Sequence, residues 1–208
     1  MSAAPVTQLI LASQSPRRRQ MLAALGLQFR TRVPQVDETR LPDETVEAYA
    51  PRVAEAKARA VAATLGDRDT PFAIISADTV VTLGETLLGK PLDTTEARAM
   101  LSRLSGRTHA VLSGLCLWIA HPGAPPRIRS ALERTTVTFK RLLPAEIEAY
   151  VNTPEPYDKA GAYAIQGGAA YFVARLDGSY TNVVGLPLTR LVEWLEAEDL
   201  WPPESLTT

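Results

Sequence analysis

The run Leu9-Ile10-Leu11-Ala12, followed by Ser13-Gln14-Ser15-Pro16-Arg17-Arg18-Arg19, leaves this chain little choice of local structure. The apolar stretch has the length of a buried strand. Ser15 before Pro16 reads as an N-cap with proline at the first helical position. Met21, Leu22 and Leu25 continue a helical pattern that Gly26 closes. The prediction is strand, tight turn and helix, with arginines in the helix's first turn. Free N–H groups and a partial positive charge at such a terminus suit an anion. Cations there oppose the helix dipole, so the arginines need another reason, and a phosphate ligand supplies one. The competing reading is a plain strand–helix junction with solvated arginines.

Downstream, residues 27–33 read as a strand that stops at Pro34, and 35–42 as a polar connection carrying Asp37 and Glu38. An alanine-rich helix is predicted from about 44 to 65, kinked or split at Pro51, ending at Gly66 with a charged turn at 67–69. A buried strand at 72–75 runs into Ser76-Ala77-Asp78-Thr79-Val80-Val81, and 85–88 is a short strand before Gly89-Lys90-Pro91. Asp93 and Glu96 form a capping pattern for a helix through Leu104. Residues 108–119 and 128–139 are rich in β-branched side chains and predict two long strands. A helix at 144–152, a loop at 153–168, a strand at 169–176, a turn at 177–178 and an amphipathic helix at 187–196 complete the chain. No repeat or domain linker interrupts it. Residues 1–208 are therefore expected to form one α/β domain, a mixed sheet covered by helices.

Composition narrows the function. A formal net charge of −1 gives no electrostatic case for duplex nucleic acid. The single cysteine, Cys116, lies in an apolar run and is expected to be a buried hydrophobe, and one cysteine excludes a disulfide framework. The histidines, His109 and His121, have no partners at zinc spacing. Neither a signal-peptide pattern at the start nor an apolar run long enough to span a membrane is present, so the cytoplasm is the expected location. Glycine-rich P-loop and dinucleotide fingerprints are missing, as is a nucleophile elbow.

What remains is an inventory of charges in loops and at strand ends. Asp78, directly after an apolar run, is expected at a strand end, where α/β proteins bind ligands and a carboxylate holds Mg²⁺ or takes a proton from water. The alternative for Asp78 is a turn cap between two strands. Glu38, Glu155 and Asp158 are the other acidic candidates. Lys57 shares a helix face with Val53 and Val61, either reaching into a cleft or snorkelling to water. With Arg17, Arg18, Lys90 and Lys159 it makes more cations than a bare metal site needs. Carboxylates plus many cations suit a nucleotide polyphosphate with a divalent metal.

The ordered motifs Ser13-Gln14-Ser15-Pro16-Arg17-Arg18, Ser76-Ala77-Asp78-Thr79-Val80-Val81, Gly89-Lys90-Pro91, Ser105-Gly106-Arg107-Thr108-His109, Glu155 through Gly167, and Gly178-Ser179-Tyr180 with Gly185-Leu186-Pro187-Leu188 resemble the Maf family of nucleoside triphosphate pyrophosphatases. The resemblance runs from residue 9 to about 196. It implies a two-lobed α/β fold, similar to inosine triphosphate pyrophosphatases, with a cleft between the lobes. It also implies hydrolysis of a nucleoside triphosphate to monophosphate and pyrophosphate with Mg²⁺ or Mn²⁺. Asp78 would act on the attacking water. Ser13, Arg17 and Lys90 would grip the phosphates. Glu38, Glu155 and Asp158 would join Asp78 in the metal and water site, and Arg17, Thr79 and Gln166 would set substrate choice. The run through Gln166 resembles the dTTP/UTP branch. A 7-methyl-GTP branch and a nucleotide-binding regulator of septum formation are the alternatives. The expected partner is the nucleotide, without nucleic acid or membrane, and a homodimer is left open.

Overall fold

The computed structural model describes residues 7–65 and 70–201. The predicted helix end at Gly66, the turn at 67–69 and most of the C-terminal tail lie outside them. Strand β1 (Gln8–Ala12) leads through Ser13-Gln14-Ser15 into helix α1 (Pro16–Ala24). Ser15 is the N-cap, its Oγ accepting from the Arg18 N–H at 3.4 Å, and Ser13 Oγ accepts from Ser15 N–H at 3.1 Å. Then come β2 (Phe29–Arg32), α2 (Val46–Leu65), β3 (Phe72–Leu83), β4 (Thr86–Leu88), α3 (Thr94–Leu104), β5 (Thr108–Ala120), β6 (Arg127–Phe139) and α4 (Pro144–Val151). After short 3₁₀ turns come β7 (Val173–Asp177), α5 (Tyr180–Val184) and α6 (Leu188–Glu196). The expected strand over 169–176 begins instead as the 3₁₀ turn Ala170–Phe172.

Among the described residues one sheet carries all seven strands, in the order β2-β1-β3-β5-β6-β7 with β4 also on β3. β1 is parallel to β2 and β3, and the remaining pairs are antiparallel. The sheet is thus mixed and flanked by helices, as expected. Near the start of β3, alternation sends Ala73 and Ile75 to the face covered by α1 and α6, with Leu22, Leu191 and Leu195. Ile74 faces the opposite side, under Ala54, Ala58 and Val61 of α2. At the far end, Val81, Val111 and Val137 pack under α3, α4 and the segment around Phe172. The long strands therefore tie together two packing units, the lobes anticipated from the resemblance.

Two expectations are corrected. Of the kink or split expected at Pro51, the split is excluded: helix α2 is continuous from Val46 to Leu65 with Pro51 inside it. Proline has no N–H, and its nitrogen packs where the helix touches the sheet. A Cβ built on Gly114 of β5 would lie 2.4 Å from that nitrogen and 2.1 Å from the Ala50 carbonyl oxygen. Asp78, for its part, does not sit at a strand end or in a turn. β3 continues for five more residues, because β5 pairs with it from Phe72 to Thr82. Its other edge is shared: β1 pairs as far as Ile75, and β4 from Val81. Between those partners β3 has one unpaired edge, and the cleft opens there.

Candidate active site

The cleft is a cavity of about 580 Å³ bounded by the β1–α1 turn, the strip of β3 from Asp78 to Val81, Gly89 and Lys90, and residues from Asp158 to Gln166. On its floor, Lys57 Nζ lies 2.6 Å from Asp78 Oδ1 and 2.8 Å from Glu38 Oε1. The Lys57 and Asp78 side chains are each 10% exposed, so this is a buried ion pair with a half-exposed second carboxylate. Gly114 sits opposite Asp78 in the β3–β5 register, and having no Cβ it lets α2 come close enough for Lys57 to reach. Tyr49, also on α2, donates its hydroxyl proton to the Glu38 carbonyl at 2.7 Å and steadies the 35–42 connection. Burial, then Asp78 and Glu38, push the Tyr49 phenol up to about 12, which keeps it a donor.

The other face of the floor is held by Arg18. Its Nε donates to Gly185 O at 2.7 Å, Nη2 to Thr79 Oγ1 at 3.1 Å and Nη1 to Ser13 Oγ at 3.4 Å. Thr79 Oγ1 also shares a 2.8 Å hydrogen bond with Ser113 Oγ. Burial lowers the Arg18 pKa from its ordinary value, and the Asp78 charge opposes that shift. At the rim, Arg17 Nη1 is 3.8 Å from Asp158 Oδ2, and Lys159 pairs with Asp158 as well. Lys90 lines the opening and is exposed.

A family model described as Maf-like protein matches residues 8–198. The chain belongs to the Maf family. Among curated Maf relatives, a "dTTP/UTP pyrophosphatase" of Myxococcus xanthus strain DK1622 is 47% identical over 93% of this chain and 94% of that protein. Proteins with the same name from Anaeromyxobacter dehalogenans strain 2CP-1 and Moorella thermoacetica are 49% and 46% identical, covering 87% and 94% of this chain and 89% and 98% of their own. A solved HAM1 protein from Coxiella burnetii superposes over 92% of this chain and 100% of its own, with a TM-score of 0.50 and 16% identity, a likeness of fold.

In this Maf chain the fold brings Ser13, Arg17, Glu38, Lys57, Asp78, Thr79, Lys90, Asp158, Lys159 and Gln166 to one cavity. It does not bring the four expected metal-site carboxylates to one point. Glu38 and Asp78 meet at Lys57, Asp158 sits with Arg17 and Lys159, and Glu155 is outside the cavity wall. No group of three or more His, Cys, Asp or Glu is placed to hold a metal among the described residues. It is also Arg18, one residue beyond the expected Arg17, that contacts Thr79. Sequence reading places Arg18 only among the cations that suit a polyphosphate, with no contact of its own, since neighbouring arginines on a helix are not told apart by spacing. It missed Ser113 and α5 altogether. The signal for α5 was present: Ser179 is its N-cap and Gly185, at φ 126°, its end.

Proposed function

We propose that this chain hydrolyses dTTP and UTP to the monophosphate and pyrophosphate. The observation that carries the reading is the buried Lys57–Asp78 pair at the base of a cleft ringed by Arg17, Lys90 and Lys159, in a chain whose relatives bear that name. The triphosphate enters with its phosphates toward Ser13, the α1 N-terminus, Arg17 and Lys90. Asp78 accepts a proton from the attacking water. Lys57 holds the Asp78 and Glu38 carboxylates in place, and the rim cations stabilise the negative charge that gathers on the departing pyrophosphate.

The donor set suits a magnesium ion carried in with substrate better than a resident one. Mg²⁺ is held by one or two carboxylates plus phosphates and waters, and Glu38 and Asp78 supply those two. When bound, the ion neutralises phosphate charge and lowers the pKa of a coordinated water. Asp158, between two cations, is left to tether the rim: partial burial raises its pKa, but Lys159 and Arg17 bring it below the ordinary value.

Gln166 lines the cavity and is the group assigned to the base. Thymine and uracil present an acceptor beside N3–H, and an amide offers the matching donor and acceptor. Guanine's adjacent donors suit a carboxylate better. A nucleotide panel with pyrophosphate detection tests the reading on wild type and on Gln166→Glu. dTTP and UTP are expected to lead purine nucleotides and 7-methyl-GTP by roughly ten- to a hundredfold in wild type. Gln166→Glu is expected to narrow that margin. Faster cleavage of 7-methyl-GTP by wild type would overturn the assignment.

A further inference from the structure

Glu155 sits in the motif-rich loop yet faces away from the cleft chemistry. Its Oε2 accepts a hydrogen bond from Gly168 N–H at 2.8 Å. Its carboxylate fills the space beside Gly167, where an added Cβ would lie 1.5 Å from Oε1. Tyr150, 5% exposed on α4, accepts from Ala164 N–H at 3.1 Å, and its ring and the Glu155 carboxylate both lie against Gly168, each 3.3 Å from where a Cβ there would stand. Between these anchors, Gly167 N–H closes onto Ala164 O at 3.1 Å, so residues 164–167 form a tight turn. Gln166 stands at the third position of that turn. The Glu155 carboxylate thus fixes the turn at Gly168 and the Tyr150 hydroxyl fixes it at Ala164.

We propose that Glu155, with Tyr150, is a positioning residue for base selection, holding the 164–168 turn so that Gln166 meets the pyrimidine edge. The inference rests on the reading of Gln166 given above. It moves Glu155 from the metal site to a clamp behind the specificity loop. A clamp needs an acceptor at Gly168, whereas a metal site needs a negative charge, and the two requirements separate in glutamine. The amide oxygen of Glu155→Gln still accepts from Gly168 but carries no charge.

The test measures kcat/KM for dTTP and GTP, together with calorimetric binding of dTMP and of tripolyphosphate, on wild type, Glu155→Ala, Glu155→Gln and Gly167→Ala. Gly167→Ala displaces the carboxylate without altering it chemically. Glu155→Ala and Gly167→Ala are expected to lower the dTTP:GTP ratio about tenfold and to weaken dTMP while sparing tripolyphosphate. Glu155→Gln is expected to hold the ratio within about twofold of wild type. A ratio unchanged in Glu155→Ala and Gly167→Ala overturns the clamp while leaving pyrimidine hydrolysis intact. So does a Glu155→Gln enzyme as impaired as Glu155→Ala with a raised magnesium requirement. If Glu155→Ala fails to fold, Gly167→Ala and Glu155→Gln decide. A wild type without dTTP preference fails the parent reading first, and the clamp with it.

Discussion

Lys57 and Asp78 bury opposite charges 2.6 Å apart, and neither is comfortable without the other. Removing one partner of a buried pair costs about 3–5 kcal/mol, mostly from the charge left behind. Lys57→Met is therefore expected to lose stability on that scale in urea unfolding, and adding Asp78→Asn is expected to recover most of it. Asp78→Asn alone is expected to fold and to lose about 10²–10⁴ in kcat, because the amide cannot take a proton from water. A folded variant with more than about a tenth of wild-type turnover would remove Asp78 from that role. His109 makes a different kind of statement. It is buried beside Phe139 and Tyr163, with Nε2 2.9 Å from the Tyr163 hydroxyl, and burial pulls its pKa from 6.5 down to about 4. Between those values the unfolded chain binds a proton that the folded chain refuses. Its share of stability is thus full above pH 6.5 and shrinks as pH falls toward 4, by up to about 3 kcal/mol. Urea titrations of wild type against His109→Gln across that window are expected to converge at low pH. Parallel curves would count against it. Cys116 takes no part in this chemistry, since burial raises its thiol to about 12.

At the scale of elements, the crossing of α2 over β5 decides whether a site exists. The stripe Ala50, Ala54 and Ala58 keeps the helix close to the sheet, and Ser76 Oγ donates to Ala54 O at 2.6 Å across the gap. Gly114 is a point of close approach, with no room for a Cβ against the helix backbone. Gly114→Ala would press a methyl group into helix backbone, not a movable side chain, so α2 must retreat. The expected cost is about 1–3 kcal/mol, with kcat falling as well because Lys57 and Tyr49 ride on the same helix. A variant that lost stability but kept full turnover would show that the helix position is not critical to the chemistry.

The whole molecule places cations from both lobes around one opening, Arg17 from α1 and Lys90 from the turn after β4. Arg17→Ala and Lys90→Ala are each expected to raise KM for dTTP and lower kcat/KM, because a polyphosphate must be gripped from two sides. Chelation with EDTA is expected to stop turnover separately, and activity that survives it would exclude the metal. A ligand that bridges the lobes also ties them together. Magnesium and a non-hydrolysable dTTP analogue at about 100 times its Kd are expected to add about 2.7 kcal/mol to stability.

Much of this was legible in the residues themselves, for a local reason. Ser15-Pro16 caps a helix and Asp93 with Glu96 caps another, because caps depend on groups a few bonds apart. Richness in β-branched residues along 108–119 and 128–139 announced the long strands, and the ordered motifs announced the family. The position of Asp78 within β3 was not legible, because a strand ends where its partners end. β5 accompanies β3 past Asp78 while β1 does not, and only pairing between distant segments settles that. The same holds for Arg18 over Arg17, chosen by where Gly185 and Thr79 lie in space. Glu155 and Glu38 look alike as loop carboxylates in the sequence. Tertiary structure turned one toward a buried ammonium and the other toward a backbone N–H, because each went to the donor its own loop brought within reach.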